Sequence, residues 1–174
     1  MSRDGKAFQL GAVVVPIGAA MSLTQRIETF GGRNRLRFSN GAGLNQVAWQ
    51  KQRITLSGTG WCPLGLGALN YAAPLTLKCG KPVSLTAASN ILTLPTTRRT
   101  DAGYLPYAWA HLPDGPVNTP VVLAGHVATC TPVAGAVAYS VMYYPEISAL
   151  CDPPAETVEA GGAVVSWELT AEEV

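Results

Sequence analysis

Charge is what this chain has least of. Asp, Glu, Lys and Arg make up 13% of its 174 residues, and no Lys or Arg follows Arg99. Histidine is rarer, with only His111 and His126, so a histidine-rich metal site is excluded. No H-E-x-x-H, phosphate-loop or post-strand G-x-G-x-x-G pattern occurs. A Ser–His–Asp set can be assembled on paper from Ser57, His126 and Asp101, but no nucleophile elbow accompanies it. No catalytic residue, cofactor or metal is expected, and the two histidines read as hydrogen-bonded structural residues. The cysteines, Cys62, Cys79, Cys130 and Cys151, lack the close spacing of zinc knuckles. Buried thiols are the plainest reading; two disulfides, or a four-thiolate metal or iron–sulfur site, are the alternatives. Long apolar runs are missing too. The stretch "LGAVVVPIGAAM" (10–21) contains Pro16 and is too short to cross a bilayer, so no membrane span is expected. Arg3 and Lys6 before it suggest a secretory signal as an alternative, but Asp4 and Gln9 break that pattern. It reads as an apolar strand in a protein made in the cytoplasm.

What the sequence does hold is glycine (18), proline (13) and apolar residues (48%). That mixture suits many short strands with tight turns and disfavours a helix bundle. Strand candidates fall at 10–15, 22–30, 33–39, 44–57, 74–79, 82–86, 104–111, 117–130, 135–144 and 163–170. Turn chemistry separates them at Gly31-Gly32, Asn40-Gly41, Gly80-Lys81-Pro82, Asp114-Gly115-Pro116 and Gly161-Gly162. No helical stripe longer than about ten residues is visible; 63–73 offers at most a short turn. The expected fold is all-β, a sandwich or a barrel with little helix. It forms one domain over 1–174, with long loops at about 88–106 and 151–162.

Charge is segregated along the chain. All twelve Lys and Arg lie in residues 1–99 beside only Asp4 and Glu28, and the other nine carboxylates lie in 100–174. Within the basic part, Arg33, Arg35 and Arg37 stand at alternate positions. The chain turns at Asn40-Gly41 and returns with Lys51 and Arg53, again two apart. Alternate residues of a strand share a face, so these five are expected to form one cationic surface. Cross-strand like charges repel by up to about 1 kcal/mol per pair, and a counter-charge would relieve that. The acidic segments around Asp152, Glu156, Glu159, Glu168, Glu172 and Glu173 of a neighbouring copy, or DNA phosphates, would supply it, and head-to-tail contacts between copies close into rings. Lining a lumen is the other role open to the basic face. Trp49, Trp61, Trp109 and Trp167 could stack on sugars or bases, although apolar neighbours at strand spacing favour their burial in the core or at an interface.

Residues 25–79, "QRIETFGGRNRLRFSNGAGLNQVAWQKQRITLSGTGWCPLGLGALNYAAPLTLKC", resemble minor tail proteins from the tail-tip region of long-tailed, non-contractile bacteriophages. The pattern is carried by Gly31-Gly32, Leu36-Arg37, Gln46, Trp49, Lys51, Ile54, Ser57-Gly58, Gly60-Trp61, Pro63, Leu66, Leu69, Tyr71, Pro74, Leu75, Leu77 and Cys79. Asn40 and Asn70 stand where the pattern has Asp. The resemblance implies a non-catalytic ring subunit in the virion tail, contacting copies of itself and the tube, tip-hub and fibre proteins, without nucleic-acid sequence recognition. Two other classes remain open: a receptor- or carbohydrate-binding module using surface tryptophans, and a secreted enzyme with two disulfides.

Overall fold

The computed structural model describes residues 6–159, 161 and 164–174. Arg3, Asp4, Gly162 and position 163 of the last strand candidate lie outside the described residues. The fold is all-β. In chain order the strands are β1 Gln9–Leu10, β2 Val13–Val14, β3 Thr24–Phe30, β4 Arg33–Arg37, β5 Gly43–Val47, β6 Lys51–Gly60, β7 Leu75–Lys78, β8 Val83–Ala87 and β9 Ile91–Thr93. They continue with β10 Tyr107–Leu112, β11 Gly115–Thr119, β12 Val121–Ala124, β13 Val127–Cys130, β14 Ala138–Tyr143, β15 Glu146–Cys151, β16 Ala155–Glu159 and β17 Val164–Glu173. Helix among the described residues is a single 3-10 turn, Ile17–Ala19. Among the described residues, no helix is long and apolar enough to cross a membrane.

Where the sequence suggests one domain, the chain divides into two compact units, 1–77 with 148–174, and 78–147. The first is built on an eight-stranded sheet in the order β2-β1-β7-β15-β17-β6-β3, with β16 also paired to β17. β6 runs between β3 and β17. One face of β6 and β17 presents Ile54, Leu56, Val165, Trp167, Leu169 and Ala171, all buried. Phe8 packs on Trp167 at 5.5 Å between ring centroids, and the Trp167 indole N–H donates to the Ala19 carbonyl at 2.6 Å. The opposite face carries Thr55, Ser57, Thr59, Ser166, Glu168 and Thr170, which gives the period-two alternation of a half-buried sheet.

The second unit is a two-layer sandwich. A four-stranded sheet, β11-β10-β14-β8, faces a three-stranded one, β12-β13-β9. Ala108, Ala110, Tyr139, Val141 and Tyr143 from the first pack with Leu92, Ala128 and Cys130 from the second. The single strand expected over 117–130 is three strands. Pro120, which has no N–H to give a ladder, ends β11 as the chain changes sheets; Gly125 (φ 60°) then turns β12 into β13.

Both expected loops contain strands. β9 lies within 88–106, and β16 lies within 151–162, pairing with β17 along Ala155↔Glu168 to Glu159↔Val164. All five β16 residues are exposed, so the strand has no apolar face to betray it in the sequence.

Candidate assembly interface

The strand expected over 44–57 breaks at Ala48-Trp49-Gln50, and this break shapes the basic site. β3 pairs with β6 from Thr24↔Ser57 to Phe30↔Lys51, whereas β4 pairs with β5 from Arg33↔Val47 to Arg37↔Gly43. Two residues, Gly31 and Gly32, therefore oppose three, which is a bulge that shifts register by one. Glycine is needed there. A Cβ on Gly31 would sit 2.1 Å from the Trp49 carbonyl oxygen.

Past this neck, β4 and β5 pair with each other and with no further strand among the described residues. Gly41 (φ 82°) makes the turn, and the Asn40 side-chain oxygen accepts the Ala42 N–H at 3.0 Å. Every residue of both strands is exposed. One face of the hairpin carries Arg33, Arg35 and Arg37 opposite Val47, Asn45 and Gly43; the other pairs Leu36 with Leu44 and Asn34 with Gln46. Arg35, Leu36, Arg37, Gly43, Leu44 and Asn45 line a shallow hollow of about 290 Å³. Phe38, Val47 and Trp49 are about half exposed.

Lys51 and Arg53 do not belong to this hairpin, which corrects the expected five-residue row. They stand on β6, inside the large sheet. Arg53 is bound to Glu172 on the adjacent strand, its Nε and Nη2 lying 2.7 and 2.6 Å from one carboxylate oxygen, and its guanidinium lies over the Phe30 ring at 5.0 Å. Lys51 Nζ donates to the Val174 carbonyl at 2.5 Å, and Glu173 accepts the Gln52 N–H at 2.9 Å. Arg53 and Glu172, expected to meet across copies, thus meet within one chain, because antiparallel pairing sets them directly opposite, while Lys51 and Glu173 bond to backbone groups of that chain.

The other acidic candidates stay outward. Glu156 and Glu159 lie on exposed β16, Glu168 projects from β17 opposite Ser57, and Asp152 is exposed. Asp152 and Glu172 help line a polar cleft of about 250 Å³ with Tyr71, Leu150 and Thr170. Burial, reinforced by Cys151 and Glu156, pushes the Tyr71 phenol up from its ordinary value.

Of the three residues of the paper triad, Ser57 lies in the first unit and His126 and Asp101 in the second. Asp101 is held by Arg99 (2.6 and 3.0 Å) and by Lys78 (3.1 Å), with Glu146 3.6 Å from Lys78. Burial alone would raise the Asp101 carboxyl, but those hydrogen bonds and charges outweigh it and hold it low. The four cysteines are free, and Cys79, Cys130 and Cys151 are buried. Burial pushes Cys79 up to about 12 and, with Asp152 adding, Cys151 to about 11.

Burial in the core or at an interface is expected of the tryptophans, and the chain itself buries one. Trp167 is in the core, Trp109 is partly exposed, and Trp49 (51%) and Trp61 (68%) are largely exposed. Sequence reasoning also missed a polar aromatic row on β10, although the alternation in "YAWAHL" (107–112) contains its signal. Comparison with known proteins returned no matching family, no matching curated protein and no matching solved structure.

Proposed function

We propose that this chain is a structural subunit of a bacteriophage tail tip or baseplate. Copies join into a ring, the basic hairpin of one against the acidic segments of the next, and the ring links the tail tube to tip-hub and fibre proteins in the virion. The reading assigns the chain no chemistry.

The observation that carries it is the β4–β5 hairpin, uncovered on both faces. Three arginines at strand spacing, about 6.8 Å apart, repel by only about 0.6 kcal/mol per neighbouring pair in water before screening. Charge alone therefore does not demand a partner. The apolar groups argue more strongly. An isolated two-stranded hairpin is marginal in water, and Leu36, Phe38, Leu44 and Val47 would each contribute up to about 1.5–3 kcal/mol if fully covered. The acidic, exposed edge strand β16 offers charge of the opposite sign. The resemblance of residues 25–79 to minor tail proteins supports the same reading, since this hairpin and its neck lie within that stretch.

The test is the triple substitution Arg33→Glu, Arg35→Glu, Arg37→Glu. All three side chains are exposed, so the purified chain should keep its circular dichroism spectrum and melting temperature. Rings seen by negative-stain electron microscopy should be lost, and the variant should not restore tail assembly to a phage lacking the gene. Normal particles from the triple variant would overturn the proposal.

A further inference from the structure

The outer face of the four-stranded sheet in the second unit has a composition that the ring reading leaves unused. β10 is an inner strand, flanked by β11 and β14. Its alternation sends Ala108 and Ala110 into the sandwich and sets Tyr107, Trp109 and His111 in a row on the other side. Successive members of such a row are about 6.8 Å apart. All three are partly exposed. Opposite Trp109 stand Asn118 on β11 and Ser140 on β14, and opposite Ser140 stands Thr86 on β8.

These polar groups are positioned. Ser140 Oγ lies 2.6 Å from His111 Nε2 and 2.6 Å from Thr86 Oγ1, so a hydrogen-bonded line crosses three strands and holds the imidazole beside the indole. The Asn118 amide donates to the Ala108 carbonyl at 3.3 Å, a long bond that leaves its oxygen to accept from a ligand. No Lys, Arg, Asp or Glu lies in the four strands. Several of this unit's charges are drawn together elsewhere, in the Lys78, Arg99, Asp101 and Glu146 cluster.

We propose that this face binds neutral carbohydrate. Aromatic rings stack on the C–H faces of sugars, and the exposed Thr86 hydroxyl and Asn118 amide with the partly exposed His111 imidazole match their hydroxyls, while Ser140, itself buried, holds His111 and Thr86 in place. Because the polar line is already bonded, little side-chain freedom is lost on binding. Nucleic acid would also stack, but a strand of phosphates calls for cations that the face lacks. A protein partner fits less well. The exposed aliphatics Ile91, Val122 and Val127 stand on strands of the other sheet, and Val117 on β11 stands opposite Ala110, a residue of the inward face, not in the aromatic row. The proposal is independent of ring assembly, since it concerns residues 84–142 alone.

The test uses the intact chain on an array of neutral and acidic glycans, followed by calorimetric titration with the best neutral oligosaccharide. Binding to at least one neutral glycan is expected. Trp109→Ala should weaken it by about tenfold or more, in line with the loss of one stacking platform, while Trp61→Ala should leave it unchanged. Should Trp109→Ala fold poorly, Asn118→Ala, at an exposed position, is expected to weaken binding about threefold at an unaltered melting temperature. Three results would overturn the proposal: no neutral glycan bound, binding confined to acidic glycans or to a protein partner, or affinity unaffected in every folded variant of the face.

Discussion

Gly60 sits where the chain has no room for a side chain. A Cβ there would fall 2.1 Å from the Gly18 carbonyl oxygen, and one on Gly58 would fall 2.8 Å from the Trp167 ring. Both positions lie on the core side of β6, where the sheet admits Trp167 and the 3-10 turn. Gly60→Ala must therefore shift backbone, and we expect a loss of about 3 kcal/mol or more, measured as a lower urea midpoint. The need for glycine at 58 and 60 could be read only from the resemblance, because the atoms they avoid belong to residues far away in sequence. Asn40 and Asn70 fix their turns in the same way. Each side-chain oxygen accepts the N–H two residues on, at 3.0 and 3.1 Å, as an Asp carboxylate would.

At the scale of elements, the β4–β5 hairpin was legible because period-two cations flank an Asn-Gly turn. The bulge at its base was not. A one-residue register shift leaves no mark on composition, yet it separates Arg33, Arg35 and Arg37 from Lys51 and Arg53. The strand β15 was missed although Ile147, Ala149 and Cys151 alternate inward, because Pro145 and Asp152 made the segment read as connection. Replacing residues 33–47 by a two-residue Asn-Gly turn should rejoin Gly32 and Ala48, which already share a backbone hydrogen bond of 2.9 Å. Nothing buried is removed, so the unfolding free energy should stay within about 1 kcal/mol of the parent in chemical denaturation. Self-association, followed by sedimentation, should disappear. A large loss of stability would mean that the hairpin supports the sheet beneath it.

At the scale of the whole molecule, the charge split along the chain does not survive folding. The first unit gathers eight Lys and Arg with eight Asp and Glu, because β16 and β17 return to the sheet that holds β3 and β6. Sequence order concealed this, since sheet partners are set by topology. What remains is local: cations on the hairpin, carboxylates on β16 and at Asp152. The second unit carries the clearest pH dependence. Asp101 titrates lower in the folded chain than in the unfolded one, so its contribution is present above the unfolded carboxylate pKa of about 3.9 and is lost as pH falls through the folded value. Cys79 has the opposite sign. Its stabilising effect is complete below the unfolded value near 9 and fades as pH rises toward about 12. Melting curves should decline at both extremes, with Asp101→Asn flattening the acid limb and Cys79→Ala the alkaline one.

The long strand β17 lies between β6 on one side and β15 and β16 on the other, and the second unit is threaded into the chain between the two parts of the first. On a translating ribosome, residues 78–147 can therefore fold as soon as they emerge, while the earlier segment waits for its closing strand. From the end of β6 at Gly60 to the start of β17 at Val164, the interval at ordinary elongation rates is roughly 5 to 21 s. Throughout it, β6 offers an unpaired edge to its surroundings. A newly made copy is thus most exposed to misassociation before the platform under its arginine hairpin exists.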